Sequence, residues 1–206
     1  MSVELKEDYY SEFVTEIVFE RKGRNTDLIN VPNQLELIGK GRSAFVFKIK
    51  DEGRAIKVFY PPFEHIAQDE ARNYKKVEGI PYYPTVYMSG KNYIVMDYIE
   101  GKTFSQCLIE GLRLTEDHVN QVNEALVAAK NKGLNPSDVH LHNLLVTKDN
   151  KVHLIDIARF FAEERLFQWD DLKKGYFTHY HRFYFPKKVP KWLMNVVAKI
   201  YHSIKK

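Results

Sequence analysis

A single cysteine, Cys107, stands among 206 residues. One thiol cannot close an intrachain disulfide, so a disulfide-stapled secreted scaffold is excluded and a reducing compartment fits. No apolar run reaches the roughly 18–20 residues that a membrane-spanning helix requires. The opening stretch MSVELKEDYYSE is acidic and has no apolar signal core, so a cytoplasmic location is expected. Internal repeats, low-complexity tracts and long Gly/Ser linkers are also lacking. With 44% hydrophobic residues, the chain can build a core without staples, as one large domain or two small lobes.

The most uneven absence is of acidic residues. No Asp or Glu follows Asp171, whereas nine Lys and Arg do (Lys173, Lys174, Arg182, Lys187, Lys188, Lys191, Lys199, Lys205 and Lys206). With a net charge of +4 overall, residues 1–171 are left at −5. Aromatic residues are interleaved with the cations of the segment 172–206, including Tyr176, Phe177, Tyr180, Phe183, Tyr184, Phe185, Trp192 and Tyr201. Such a segment suits an anionic partner, nucleic acid or a membrane surface. It also suits a plain reading in which the aromatics complete a core and the lysines are solvated.

Hydrophobic periodicity divides the chain. Phe13 to Arg21 reads as a strand, as do Gln34–Gly39, Phe45–Lys50 and Arg54–Tyr60, the last ended by Pro61-Pro62. A helix is expected over Glu64–Glu78, with Ile66, Ala71, Tyr74 and Val77 as its apolar stripe and Gly79 as its stop. Strands near Thr85–Ser89 and Tyr93–Tyr98 follow. Then come a short helix over Phe104–Ile109 and a longer one capped by Thr115 and closed by Gly133. Two short strands, Leu144–Thr147 and Val152–Ile157, precede a final helix expected over Lys191–Ile204. The order is a strand-rich part with one helix, then a helix-rich part.

Four segments carry residues whose chemistry stands out from their surroundings. Gly39 and Gly41, in Gly39-Lys40-Gly41, separate two β-runs and would let backbone amides approach a phosphate, or simply make a turn. Lys57 lies inside the apolar strand Ala55-Ile56-Lys57-Val58, where burial is costly without a partner. It either faces out from an edge strand or pairs with an acid. Glu70 on the following helix is the favoured partner, with Asp69 and Glu64 in competition. Asp138 and Asn143 stand five residues apart in a loop between helix and strand, a spacing that can set a carboxylate by an attacking hydroxyl and an amide by a metal, or supply a cap and a turn. Asp156 ends the apolar run His153-Leu154-Ile155, where it needs a hydrogen bond or a cation, and magnesium is a suitable one.

In this order and spacing the segments resemble the protein-kinase-like superfamily, over about Gly39 to Ala158. The likeness is nearest to small bacterial serine/threonine-protein kinase-like proteins and RIO-type kinases. It implies an α+β, two-lobed fold with a truncated C-lobe: residues 1–99 as an N-lobe of antiparallel sheet plus one helix and a Gly-rich loop, and 100–206 as a minimal helical C-lobe. It implies ATP and Mg2+ as cofactors. Gly39, Gly41 and Val46 are similar to the glycine-rich loop, and Lys57 with Glu70 to the phosphate-positioning pair. Met96 and Tyr98, in Met96-Asp97-Tyr98-Ile99-Glu100-Gly101, are similar to the adenine-holding hinge. Asp138 matches the catalytic base, and Asn143 and Asp156 the metal ligands. The implied activity is serine/threonine-protein kinase.

Several positions depart from that pattern. Ala44 stands where a third loop glycine is usual, Pro136-Ser137 replaces His-Arg before Asp138, and Ile157-Ala158 replaces Phe-Gly after Asp156. No Ala-Pro-Glu follows, so the part that grips peptide substrates is expected to be short or absent. Asp138-x-His140-x-x-Asn143 is also similar to the loop of aminoglycoside and choline kinase-like enzymes, which makes a small-molecule hydroxyl the alternative acceptor. An ATP-binding pseudokinase or interaction module is the non-enzyme alternative. A zinc site at His140 and His142, or at His179 and His181, lacks a third ligand at suitable spacing.

Overall fold

The computed structural model describes residues 3–23, 25–137, 139–161, 168–186 and 188–194. Helix α1 (Val3–Glu16) leads into a hairpin of β1 (Val18–Lys22) and β2 (Asn25–Asn30). Strands β3 (Leu35–Lys40), β4 (Ala44–Ile49) and β5 (Arg54–Phe59), helix α2 (Ile66–Lys76) and strands β6 (Val86–Ser89) and β7 (Tyr93–Asp97) come next. They form a five-stranded antiparallel sheet of order β3-β4-β5-β7-β6.

The two-residue period of the strands decides what each face does. Phe45, Phe47, Ile49, Ile56, Val58, Tyr60, Tyr93 and Val95 form one cluster with Tyr10, Phe13 and Ile17. The opposite face presents Ala44, Ala55, Phe59, Ile94 and Met96 to Ala67 and Tyr74 of α2. Lys57 lies on this second face, between Ala55 and Phe59. A side chain on the other face would have met α1 instead.

The strand expected over Phe13–Arg21 is corrected here. Its first part ends α1 and only Val18–Arg21 is extended. Tyr10, Phe13 and Ile17 recur at helical spacing and are all buried, but a window opened at Phe13 cannot see that stripe. The first part of the chain thus carries two helices rather than one.

Beyond β7 a three-stranded antiparallel sheet of order β10-β9-β8 is built from β8 (Gly101–Thr103), β9 (Leu144–Thr147) and β10 (Val152–Leu154). Helices α3 (Phe104–Glu110) and α4 (Glu116–Asn131) each start with a reciprocal capping box, Thr103 with Gln106 and Thr115 with His118. The core of α4, β9 and β10 is continuous with that of the α2-facing sheet surface. Helix α5 (Gln168–Gly175) follows, with a π-helical turn at Tyr176–Tyr180.

Part of the aromatic tail is packed: Tyr176 and Val189 are buried, and the Tyr180 hydroxyl accepts the Leu114 N–H at 3.0 Å. Phe183, Tyr184 and Trp192 are exposed. Of the helix expected over Lys191–Ile204, residues 191–194 are helical and the rest lies outside the described residues. Among the described residues no helix is long and apolar enough to cross a membrane.

Candidate active site

One lateral row across the sheet lines up Gly39, Val46, Lys57 and Ile94 as successive register partners. The Gly39–Val46 pair, on the edge strand β3 and its neighbour β4, therefore lies beside the lysine on β5. The loop joining β3 to β4 is closed by the Gly41 N–H donating to the Ala44 carbonyl at 2.8 Å. The Tyr60 hydroxyl donates to the Arg42 carbonyl, and its N–H donates to the Ser43 carbonyl at 3.2 Å. Neither loop glycine has a positive φ. A Cβ at Gly39 would meet Val46 at 3.5 Å, and one at Gly41 would meet the Ala44 carbonyl at 3.4 Å, both ordinary contacts. The local fold therefore demands neither glycine, and a backbone without side chains at these two positions is one that a ligand could approach closely.

Lys57 Nζ lies 2.6 Å from Glu70 Oε2 and 3.1 Å from Asp156 Oδ1. Glu70 is fully buried, and the Asp156 side chain is 51% exposed. Asp69 instead pairs with Arg72, and Glu64 precedes α2, so of the three candidate acids Glu70 meets the lysine. Burial works against the Lys57 charge, but Asp156 and Glu70 outweigh it and hold its pKa above the ordinary value. Burial pushes the Glu70 carboxyl up from 4.5 to about 7, against the pull of Lys57. The Lys57 charge holds Asp156 below the usual carboxylate range despite burial, with smaller help from His140 and Arg159. When both acids are ionised the trio has one negative charge in excess, with its exposed end at Asp156.

Asp156 does not continue β10. Its φ of +61° takes the chain out of the ladder, which is why the strand expected to run to Ile157 stops at Leu154. Asn143 sits close by: its carbonyl accepts the Ile155 N–H at 2.9 Å, and Asn143 and Asp156 line one narrow crevice with Val139, Leu144 and Phe160. Asp138 lies outside the described residues. The segment before it is held firmly. Ser137 is buried and its hydroxyl donates to the Arg159 carbonyl at 2.7 Å, and the Asn135 N–H donates to the Phe160 carbonyl at 2.7 Å.

Met96 is buried on β7 opposite Ala55. Tyr98 follows the strand, its N–H donating to the Gly53 carbonyl at 3.1 Å and Lys48 Nζ lying 4.6 Å from its ring centroid. His140 and His142 have ring centroids 5.9 Å apart. Among the described residues no group of three or more His, Cys, Asp or Glu is placed to hold a metal ion. The half-exposed Asp156 carboxylate, with Asn143 lining the same crevice, could supply the hard oxygen donors that magnesium takes together with phosphate oxygens.

The sequence reading missed Asn73, whose side-chain amide donates to the carbonyls of Ile157 at 2.9 Å and Ala158 at 3.3 Å. It took Tyr74 as apolar packing only, yet the Tyr74 hydroxyl accepts the Asp156 N–H at 3.2 Å. A signal was present: these residues stand three and four positions after Glu70, on the same helical face.

A family profile described as the RIO domain matches residues 54–165, just over half of the chain. The chain is 42% identical over 187 residues to YrzF of Bacillus subtilis (strain 168), whose name assigns it provisionally to the serine/threonine-protein kinases; the alignment covers 90% of this chain and 87% of that protein. A Clostridium acetobutylicum protein with a similarly provisional serine/threonine-protein kinase name is 32% identical over 71 residues, covering 32% of this chain and 11% of the relative. Among solved structures, WbdD with a bound kinase inhibitor aligns at a TM-score of 0.49 and 21% identity, over 62% of this chain and 35% of that one. By its profile match and its long alignment with YrzF, this chain belongs to the RIO-domain family of protein-kinase-like proteins.

Proposed function

We propose that the protein is an ATP- and magnesium-dependent kinase that transfers the γ-phosphoryl group to a serine or threonine hydroxyl of a protein. The observation that carries this reading is the buried Lys57 held between Glu70 and Asp156. Lys57 would meet the α- and β-phosphates, with Glu70 fixing its direction. Gly39, Gly41 and Val46 would cover the phosphates, and Met96 and Tyr98 would flank the adenine. Asn143 and Asp156 are the residues that would hold magnesium, which supplies charge neutralisation at the phosphate oxygens. Asp138 would accept the hydroxyl proton. In this arrangement catalysis comes mainly from positioning and electrostatic stabilisation. In this reading the site would lie between an N-lobe of residues 1–99 and a C-lobe of 100–206.

The pattern Asp138-x-His140-x-x-Asn143 favours one second reading, a small-molecule hydroxyl as acceptor. Assaying metabolite alcohols beside generic protein substrates separates the two. The cations Arg182, Lys188 and Lys191 near exposed Phe183, Tyr184 and Trp192 suit an anionic partner, which salt-dependent binding to RNA or to anionic vesicles would test. For the kinase reading itself, Asp138→Ala is expected to keep nucleotide affinity and lose turnover by about 10²–10⁴-fold, the usual contribution of a general base. Wild-type turnover in that variant would remove Asp138 from its role. A wild-type protein that binds nucleotide yet transfers nothing to either acceptor class would leave the pseudokinase alternative standing.

A further inference from the structure

We propose that Asn73 and Tyr74 are positioning residues that tie Asp156 to α2, so that the metal-facing acid and the Lys57–Glu70 pair are carried as one unit. This rests on reading Asp156 as the magnesium-holding acid.

Asp156 adopts a left-handed φ of +61°, a region that aspartate enters more readily than most residues but still at some cost, which surrounding contacts can offset. Three neighbours supply such contacts. The Tyr74 hydroxyl takes the Asp156 N–H, Asn73 holds the next two carbonyls, and Lys57 holds the carboxylate. Glu70, Asn73 and Tyr74 are all buried. At spacings of three and four they present a carboxylate, an amide and a phenol from one face of α2. Buried polar groups are costly unless bonded: Glu70 Oε2 bonds to Lys57 while its Oε1 has no hydrogen-bond partner among the described residues, and Asn73 and Tyr74 bond to the segment Asp156–Ala158. A shift of α2 would therefore move the lysine and the acid together. The kinase pattern places Phe-Gly after this acid; here Ile157 and Ala158 are pinned by backbone carbonyls, so the hold does not depend on their side chains.

The test uses the full chain and begins with no nucleotide or metal present. Tyr74→Phe deletes one oxygen and keeps the ring packing. Hydrogen exchange at the Asp156 amide is expected to quicken about tenfold, the equivalent of one lost hydrogen bond. Exchange within α4 and the β9–β10 ladder should stay as it was. With Mn2+ and ADP as probes, the metal concentration for half-saturation should rise about five- to tenfold in Tyr74→Phe, again the equivalent of one hydrogen bond. Asn73→Ala should act in the same direction. Metal-free ADP binding should be unchanged.

Unchanged exchange at Asp156 in Tyr74→Phe overturns the proposal. So does faster exchange spread over the whole chain with a lowered denaturation midpoint, which would mark a merely structural role. If Asp156→Asn leaves Mn2+ binding as in the wild type, the reading of Asp156 as the metal acid fails and takes the proposal with it. If Asp156→Asn abolishes that binding while Tyr74→Phe leaves both exchange and metal dependence alone, only the tie to α2 is wrong.

Discussion

Replacing Glu70 by glutamine should relieve the fold of a charge that it holds at a cost. Glu70 is fully buried, and burial raises its carboxyl from 4.5 to about 7 in spite of Lys57 at 2.6 Å. At about 1.4 kcal/mol for each tenfold change in proton affinity, that rise corresponds to about 3 kcal/mol. The sign follows from linkage: a raised carboxyl favours the folded state fully below pH 4.5 and loses that contribution as pH climbs through 7. Wild type therefore carries the whole cost at pH 8 and almost none at pH 4.5. Glu70→Gln is neutral throughout. Its stability relative to wild type should increase by about 3 kcal/mol between pH 4.5 and pH 8, whatever the amide itself costs to bury. Asp156, held below the ordinary carboxylate range, stays ionised over that interval in wild type. Urea denaturation followed by tryptophan fluorescence at several pH values measures the difference. A difference that is flat with pH, or that runs the other way, would refute the account of Glu70 as a residue kept for Lys57 rather than for stability.

Lys57→Met should lose about 3–5 kcal/mol at pH 8, because two carboxylates are left facing each other without their cation. The loss should shrink on acidification as Glu70 takes up a proton, which urea midpoints at pH 8 and pH 5 would show. Gly41→Ala should change stability by less than about 0.5 kcal/mol, since its Cβ has room. It should nevertheless raise the KM for ATP, and thermal melts beside steady-state kinetics separate the two effects.

Much of the site was legible because its chemistry is unusual for packed segments. A lysine between Ala55 and Phe59 on an apolar strand needs a partner, and only Glu70 of the nearby acids lies buried on the face of α2 turned towards it. Asp156 stood out for the same reason at the end of an apolar run. Its left-handed φ was not legible, since aspartate tolerates that region better than most residues and the run His153–Ile157 shows no break. Asn73 passed unnoticed because an asparagine within a helix ordinarily faces water; only the fold shows that its partners are the carbonyls of Ile157 and Ala158, more than eighty residues on. Strand β8 and helix α5 went unread as well. Three residues are too few to show a period, and the charged sequence of α5 hides Trp169, which is buried and donates to Asn123 of α4 at 2.8 Å.

Transfer of labelled phosphate from ATP, compared between wild type and Asp156→Ala with and without magnesium, tests the central claim most directly. Wild type should transfer label to a protein hydroxyl only when magnesium is present, and Asp156→Ala should lose that transfer while remaining folded. Equal transfer by the two proteins, or transfer by wild type that ignores magnesium, would contradict the account.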